Sequence, residues 1–266
     1  MSSNSALNII KIGGNVIDSE NDLNAFLEKF AALPGKKILV HGGGKIASRM
    51  AADLGLEVKM VEGRRITDKA MLRIATMVYA GLTNKSIVAQ LQKLSCDAIG
   101  LSGADGNTIK SMKRPIKDID YGYVGDIMHD SVNTGSIKKF LEAGFTPVFS
   151  AITHNGKGQL LNTNADTIAA ALAVGLSDLY ETSLVYCFEK NGVLRDVTDE
   201  NSVISQIALS EFEPLKDQGV IADGMIPKMQ NAFEAIGKGV KKVYIGNANN
   251  LHLFQQGQFG TCMILK

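Results

Sequence analysis

Short apolar runs alternate with amphipathic stretches along this chain, and the alternation predicts strands interleaved with helices. Leu7 to Ile12 reads as a first strand ending at Gly13-Gly14. Ser19 is placed to cap a helix whose apolar face carries Leu23, Phe26, Leu27 and Phe30. Ile38 to Val40 is a second strand, closed by Gly42-Gly43-Gly44, and Ile46, Met50 and Leu54 then recur at helical spacing until Gly55. A longer helix is expected from Thr67 or Asp68 past Met77. Ala98 to Leu101 and Phe145 to Ile152 read as buried strands, with a hairpin between them formed by Asn107 to Met112 and Tyr121 to Met128.

The carboxyl-terminal part continues the pattern. Asn164 to Leu176 is an Ala-rich helix with a polar start. Leu184 to Phe188 and Lys242 to Ile245 are strands flanking two helices, Gln206–Gln218 and Pro227–Lys238, and Thr261 to Leu265 adds a last strand. Such alternation predicts an α/β fold with a mainly parallel open sheet. A join near Gly175–Leu179 divides the expected lobes into 1–176 and 177–266.

Charge narrows the partners. A formal net charge of +1 leaves no electrostatic footprint for nucleic acid. Lys110, Lys113, Arg114 and Lys117 form a loose, interrupted cluster that reads as a solvated strand edge. The cysteines Cys96, Cys187 and Cys262 follow no metal-ligand spacing, and the latter two sit among apolar residues like buried thiols of a reducing compartment. With neither a signal-like start nor an apolar run of ~20 residues, the chain reads as cytoplasmic, without a membrane partner.

Two strand-to-helix turns carry the first candidate chemistry: Lys11-Ile12-Gly13-Gly14 and His41-Gly42-Gly43-Gly44-Lys45. Glycine permits close backbone approach, and the following helix start offers unpaired N–H groups to an anion. The second turn is not a Walker A loop, because Ile46 follows Gly44-Lys45 and Leu39 stands at the first glycine position. Gly42-x-Gly44-x-x-Ala47 satisfies a loose dinucleotide fingerprint, with Glu62 at the distance of a ribose carboxylate, which leaves a dehydrogenase open. Asn162-Thr163-Asn164-Ala165-Asp166 supplies three polar groups where a helix needs one cap. Lys228 stands early in a helix, where the dipole disfavours a cation and a phosphate ligand would explain it. Arg65 precedes another helix and can fork onto a carboxylate, although an ordinary surface arginine fits that position equally well.

Taken together, Ile10-Lys11-Ile12-Gly13-Gly14, His41-Gly42-Gly43-Gly44, Gly63-Arg64-Arg65-Ile66-Thr67, Asn162 to Asp166 and Asp223-Gly224-Met225-Ile226-Pro227-Lys228 resemble the amino acid kinase family. The resemblance implies a three-layer α/β/α sandwich. Its amino-terminal lobe would bind an acyl amino acid and make a homodimer, and its carboxyl-terminal lobe would bind ATP. The implied reaction is phosphorylation of the side-chain carboxylate of N-acetyl-L-glutamate in arginine biosynthesis, with N-succinyl-L-glutamate as the alternative substrate. By the same resemblance Lys11 and Lys228 approach the transferred phosphoryl group, steadied by Asp166. Gly43, Gly44, Arg65, Asn162 and Asn164 would bind the acyl amino acid. Gly13 and Gly14, the segment Glu189, Lys190, Asn191, Gly192, Val193 and Leu194, and Val220, Ile221 and Ala222 would line the ATP site. Mg2+ would be held through ATP oxygens and water, with no protein metal ligands.

Two departures bear on these expectations. Tyr186-Cys187-Phe188-Glu189-Lys190-Asn191-Gly192 replaces the family's Thr/Ser-Asp-Val-x-Gly pattern, putting Glu189 where an aspartate is usual. Few residues precede the first strand, so an arginine-insensitive dimer is expected. A non-catalytic nucleotide- or amino-acid-binding module is the reading from another class; retention of Lys11, Asp166 and Lys228 argues against it.

Overall fold

The computed structural model describes residues 5–61, 64–221 and 225–266, and of Pro227 only the backbone. Glu62, Gly63, Ala222, Asp223, Gly224 and the Pro227 side chain, all named above, lie outside the described residues.

Eight strands carry the architecture: β1 (Ala6–Ile12), β2 (Lys36–His41), β3 (Ala98–Leu101), β4 (Thr146–Ser150), β5 (Glu181–Phe188), β6 (Gln206–Ala208), β7 (Lys242–Asn247) and β8 (Thr261–Ile264). Leu7, Ile9, Ile10 and Ile12 of β1 are completely buried, as are Ile38, Leu39 and Val40 of β2. Such continuous burial, rather than alternation, marks strands covered on both faces.

By internal contacts the chain forms two compact units, one of Met1–Lys37 with Leu172–Lys266 and one of Ile38–Ala171. In the first, the strand order is β6-β8-β7-β5-β1. β1 pairs with β5 and β5 with β7 in parallel, whereas β7 and β8 run antiparallel. In the second, β4 lies between β2 and β3, and both pairings are parallel. These mainly parallel sheets with intervening helices are the expected α/β class.

Helix starts follow their sequence signals. The helices α1 (Gly14–Asp18) and α2 (Glu20–Ala32) follow β1, and the Ser19 hydroxyl accepts the Asp22 N–H at 3.3 Å to cap α2. Helix α3 (Gly44–Asp53) opens directly on the second glycine turn, and Asp68 caps α4 (Lys69–Ala75) by accepting from the Met71 N–H at 2.7 Å.

Three segments differ from the sequence reading. The helix expected past Met77 runs on through Lys93, but Thr76–Thr83 is a π-helical stretch between α4 and α5 (Asn84–Lys93). The predicted helix at Gln206 begins instead as the edge strand β6, with α8 (Leu209–Asp217) only after it, once α6 (Thr134–Glu142) and α7 (Ala165–Gly175) have been formed. Ile207 on β6 is fully buried, so pairing to β8 overrides the helical propensity of Gln206 and Ala208. The predicted hairpin shrinks to two antiparallel pairs, Met112–Lys113 with Gly125–Asp126, because Asn107 ends a 3-10 turn and Asp118 to Tyr121 lie outside any ladder.

Candidate functional site

In the unit containing β1, candidate residues gather at the carboxyl ends of parallel strands, where ligands of open α/β sheets bind. Lys11 stands opposite Tyr186 in the β1–β5 register, and the Gly13 N–H donates to the Cys187 carbonyl at 3.2 Å. One residue further, β5 ends at Phe188. Helix α9 (Met225–Gly237) brings Lys228 to the same place. The Lys228 Nζ lies 4.0 Å from the centroid of the Phe188 ring, and the Lys11 Nζ lies 5.4 Å from it. Two ammonium groups separated by more than two hundred positions in the chain therefore meet on one aromatic side chain.

The Glu189–Leu194 segment leaves this strand end as a loop. Its exposed part is Glu189 and Lys190, the latter paired with Glu200 at 3.6 Å. Asn247, at the end of β7, donates to the Glu189 carbonyl at 2.7 Å and to the Asn191 side-chain oxygen at 3.2 Å. Asn250 donates to the same oxygen at 3.4 Å. Beyond it the loop dives inward: Gly192 has no room for a Cβ, which would fall 2.8 Å from the Thr261 hydroxyl, and Val193, Leu194 and Ile221 are core residues. Any contact from Val193 and Leu194 to a nucleotide is thus one of the backbone.

In the other unit, the glycine turn after β2 is held from three sides. Gly43 has φ +149°, and a Cβ there would stand 2.9 Å from Cδ1 of Tyr79. Only glycine fits. His41 is fully buried, its Nδ1 2.8 Å from the Gly42 carbonyl and its Nε2 3.0 Å from the Asn84 amide nitrogen. Asn84 also donates to the Val148 carbonyl at 2.9 Å. Burial holds the imidazole pKa down to about 4, against a smaller upward pull from the Gly42 hydrogen bond.

Arg65 faces the same turn. Its Nη2 donates to the Gly44 carbonyl at 2.9 Å and to the Ser48 hydroxyl at 2.8 Å, and its Nη1 approaches the Met71 sulfur at 3.9 Å. The buried Tyr79 phenol is also hydrogen bonded to Arg65; desolvation raises its pKa, and the neighbouring guanidinium opposes that rise. Asn162 donates to the Thr67 hydroxyl at 3.0 Å, which ties it to the segment carrying Arg65. Asn164 is exposed, and its side-chain oxygen accepts the Thr167 N–H at 3.1 Å, so it serves as the cap of α7. Asp166 occupies the first turn of that helix.

The structure thus gathers Lys11, Gly13, Lys228 and the Glu189 loop in one unit, and Gly43, Gly44, Arg65 and Asn162 in the other. Sequence reasoning missed Phe188, Tyr79, Asn84, Asn247 and Asn250. Asn84 carried a usable signal, an uncharged polar residue on the buried side of an otherwise apolar helical stretch. Phe188 looked like the end of a buried strand and nothing more. Among the described residues no group of three or more His, Cys, Asp or Glu is placed to hold a metal, and no helix is long and apolar enough to cross a membrane. The basic cluster is partly tied up, since Arg114 makes a two-pronged ion pair with Asp126, its closest approach 2.6 Å.

A glycine turn at a parallel strand end, beside two converging ammonium groups, is an arrangement suited to an anion in an α/β protein. The amino acid kinase family model matches residues 6–247. Among curated proteins the chain is 53% identical over 246 residues to an acetylglutamate kinase of Phocaeicola vulgatus, covering 92% of this chain and 95% of that one. An acetylglutamate kinase of Cytophaga hutchinsonii is 54% identical, with 92% of each covered. Among solved structures, smu.665 from Streptococcus mutans superposes with a TM-score of 0.77 at 26% identity, covering 98% of this chain and 99% of that one. Carbamate kinase from Giardia lamblia bound to AMP-PNP, at 13% identity, shares the fold alone, with a TM-score of 0.72 and complete coverage of both chains. The chain belongs to the amino acid kinase family.

Proposed function

We infer that the chain is an acetylglutamate kinase-type phosphotransferase, which uses ATP to phosphorylate the side-chain carboxylate of N-acetyl-L-glutamate. The observation that carries this reading is the meeting of Lys11 and Lys228 on Phe188, at the strand end beside Gly13. A substrate carboxylate, with a solution pKa of about 4.3, is already ionised at neutral pH and needs no general base. One of its oxygens attacks the γ-phosphorus, the bond from that phosphorus to the β,γ-bridging oxygen breaks, and ADP leaves with the bonding electron pair. The product is an acyl phosphate. Catalysis then rests on positioning and on cations facing the charge spread over the equatorial phosphoryl oxygens.

Lys11 and Lys228 are assigned to those oxygens, and Asp166 is assigned to the catalytic set with them. Gly13, Gly14 and the backbone of Glu189–Leu194 are assigned to ATP, and Mg2+ arrives with the nucleotide. Gly43, Gly44, Arg65 and Asn162 are assigned to the acyl amino acid. Arg65 already donates to the Gly44 carbonyl, which supports a shared substrate-facing surface. Asn164, whose side-chain oxygen caps α7, is assigned to the acyl amino acid with them. The functional lobes are 1–176 for the acyl amino acid and 177–266 for ATP, and the working form is a cytoplasmic homodimer.

An ATP-dependent hydroxamate assay tests the reading directly, because hydroxylamine traps acyl phosphate. N-acetyl-L-glutamate is expected to give product well above free glutamate and N-succinyl-L-glutamate. Lack of product with the acetylated substrate would overturn the assignment, and preference for the succinylated one would correct the acyl group.

A further inference from the structure

Phe188, the last residue of β5, is the contact that both candidate lysines share. Its backbone is fixed by the β5–β7 register, opposite Asn247, and its ring stacks on Tyr186 with centroids 6.0 Å apart and an interplanar angle of 18°. The Phe188 residue is only half-buried. Below it, the Gly13-to-Cys187 hydrogen bond locks the two strand ends together.

Two ammonium groups brought close repel one another, and the repulsion grows as water is excluded. An aromatic face attracts cations through its quadrupole while carrying no net charge. An aliphatic side chain at this position would desolvate the lysines with nothing in return. The ring draws on both while adding no charge of its own.

We propose that Phe188 is a positioning residue that holds the Lys11 and Lys228 ammonium groups side by side before nucleotide arrives. The inference rests on the function given above for its kinetic consequence, though not for its geometry. When a transferring phosphoryl group enters, its oxygens meet ammonium groups already gathered at the ring, and the side chains need little rearrangement. Preorganisation of this kind lowers the barrier of the chemical step rather than the affinity for substrate. The effect is thus expected in kcat.

The geometric arm uses NMR of the ligand-free protein. The ε-methylene signals of Lys11 and Lys228, assigned with Lys11→Arg and Lys228→Arg, are expected upfield of other lysines by ring current and back among them in Phe188→Leu. Unshifted signals in the unaltered protein would overturn the proposal whatever the substrate is. The kinetic arm compares Phe188→Leu with Phe188→Tyr. The leucine variant is expected to lose about tenfold in kcat while the KM for the acyl amino acid stays within about twofold, and tyrosine to retain most of the rate. Equal losses in both variants, or none in either, would overturn the proposal. If leucine compromises folding, stepwise fluorination of Phe188 keeps the shape and withdraws π density; kcat is expected to fall with each fluorine, and a flat series would refute the role. A protein that makes no acyl phosphate while showing the shifted lysine signals overturns the function and leaves the positioning intact.

Discussion

A neutral imidazole at position 41 is required by its neighbours. Both amide hydrogens of Asn84 are spent, one on the Val148 carbonyl and one on the His41 Nε2, so that nitrogen must accept. The proton then sits on Nδ1, which donates to the Gly42 carbonyl. Protonating Nε2 would set two donors against each other in a fully buried place. The folded-state pKa of about 4 lies below the ordinary 6.5, so the unfolded chain binds the extra proton first. The stability that goes with a neutral His41 is therefore complete above pH 6.5 and lost as pH falls towards 4. The loss is on the order of 3 kcal/mol at most. Urea titrations at pH 7 and pH 4.5 are expected to show it, and His41→Gln to flatten the difference; an unchanged pH dependence in that variant would refute the assignment. From sequence this histidine was only a residue at a turn, because the partner that fixes its protonation lies forty-three positions away.

At the scale of elements, the stretch from α4 to α5 shows what periodicity reveals and what it hides. The helix start at Asp68 was legible because capping is local chemistry. The π-helical segment Thr76–Thr83 was not, since a wider turn leaves no apolar period of its own. Its consequence is functional: Tyr79 and Thr83 are set against Gly43, and Asn84 reaches His41. β1, β2 and the helices after them were legible for the opposite reason, being continuous buried runs followed by glycine and an amphipathic face. Gly43→Ala forces a side chain into a positive-φ position and against the Tyr79 ring. A cost of about 1–3 kcal/mol is expected, with a raised KM for the acyl amino acid and an unaltered KM for ATP. Thermal unfolding and initial-rate kinetics on the same sample check both parts; a stable variant with wild-type KM would show that the turn is not built around Tyr79.

Across the whole molecule, the unit that carries the lysines is discontinuous: residues up to Lys37 join Leu172–Lys266. Sequence showed the strand and the lysine at each end of the chain, but not that they share a unit, because parallel pairing over such a separation leaves no local mark. β1 pairs with β5 along seven residues, and its Leu7, Ile9, Ile10 and Ile12 are completely buried. Four such side chains contribute roughly 1.5–3 kcal/mol each, a sum comparable to the whole stability of an ordinary domain. A fragment consisting of Leu172–Lys266 would keep β5, β7, α9 and Lys228, yet expose the β5 edge that β1 covers. Such an edge is a template for aggregation rather than a free-standing surface. The fragment is therefore expected to lack a cooperative unfolding transition by circular dichroism. A peptide covering residues 1–37, added in excess, is expected to restore one. Cooperative folding of the fragment without that peptide would mean that β1 is an addition to a self-sufficient unit, and that Lys11 reaches Phe188 by docking rather than by shared folding.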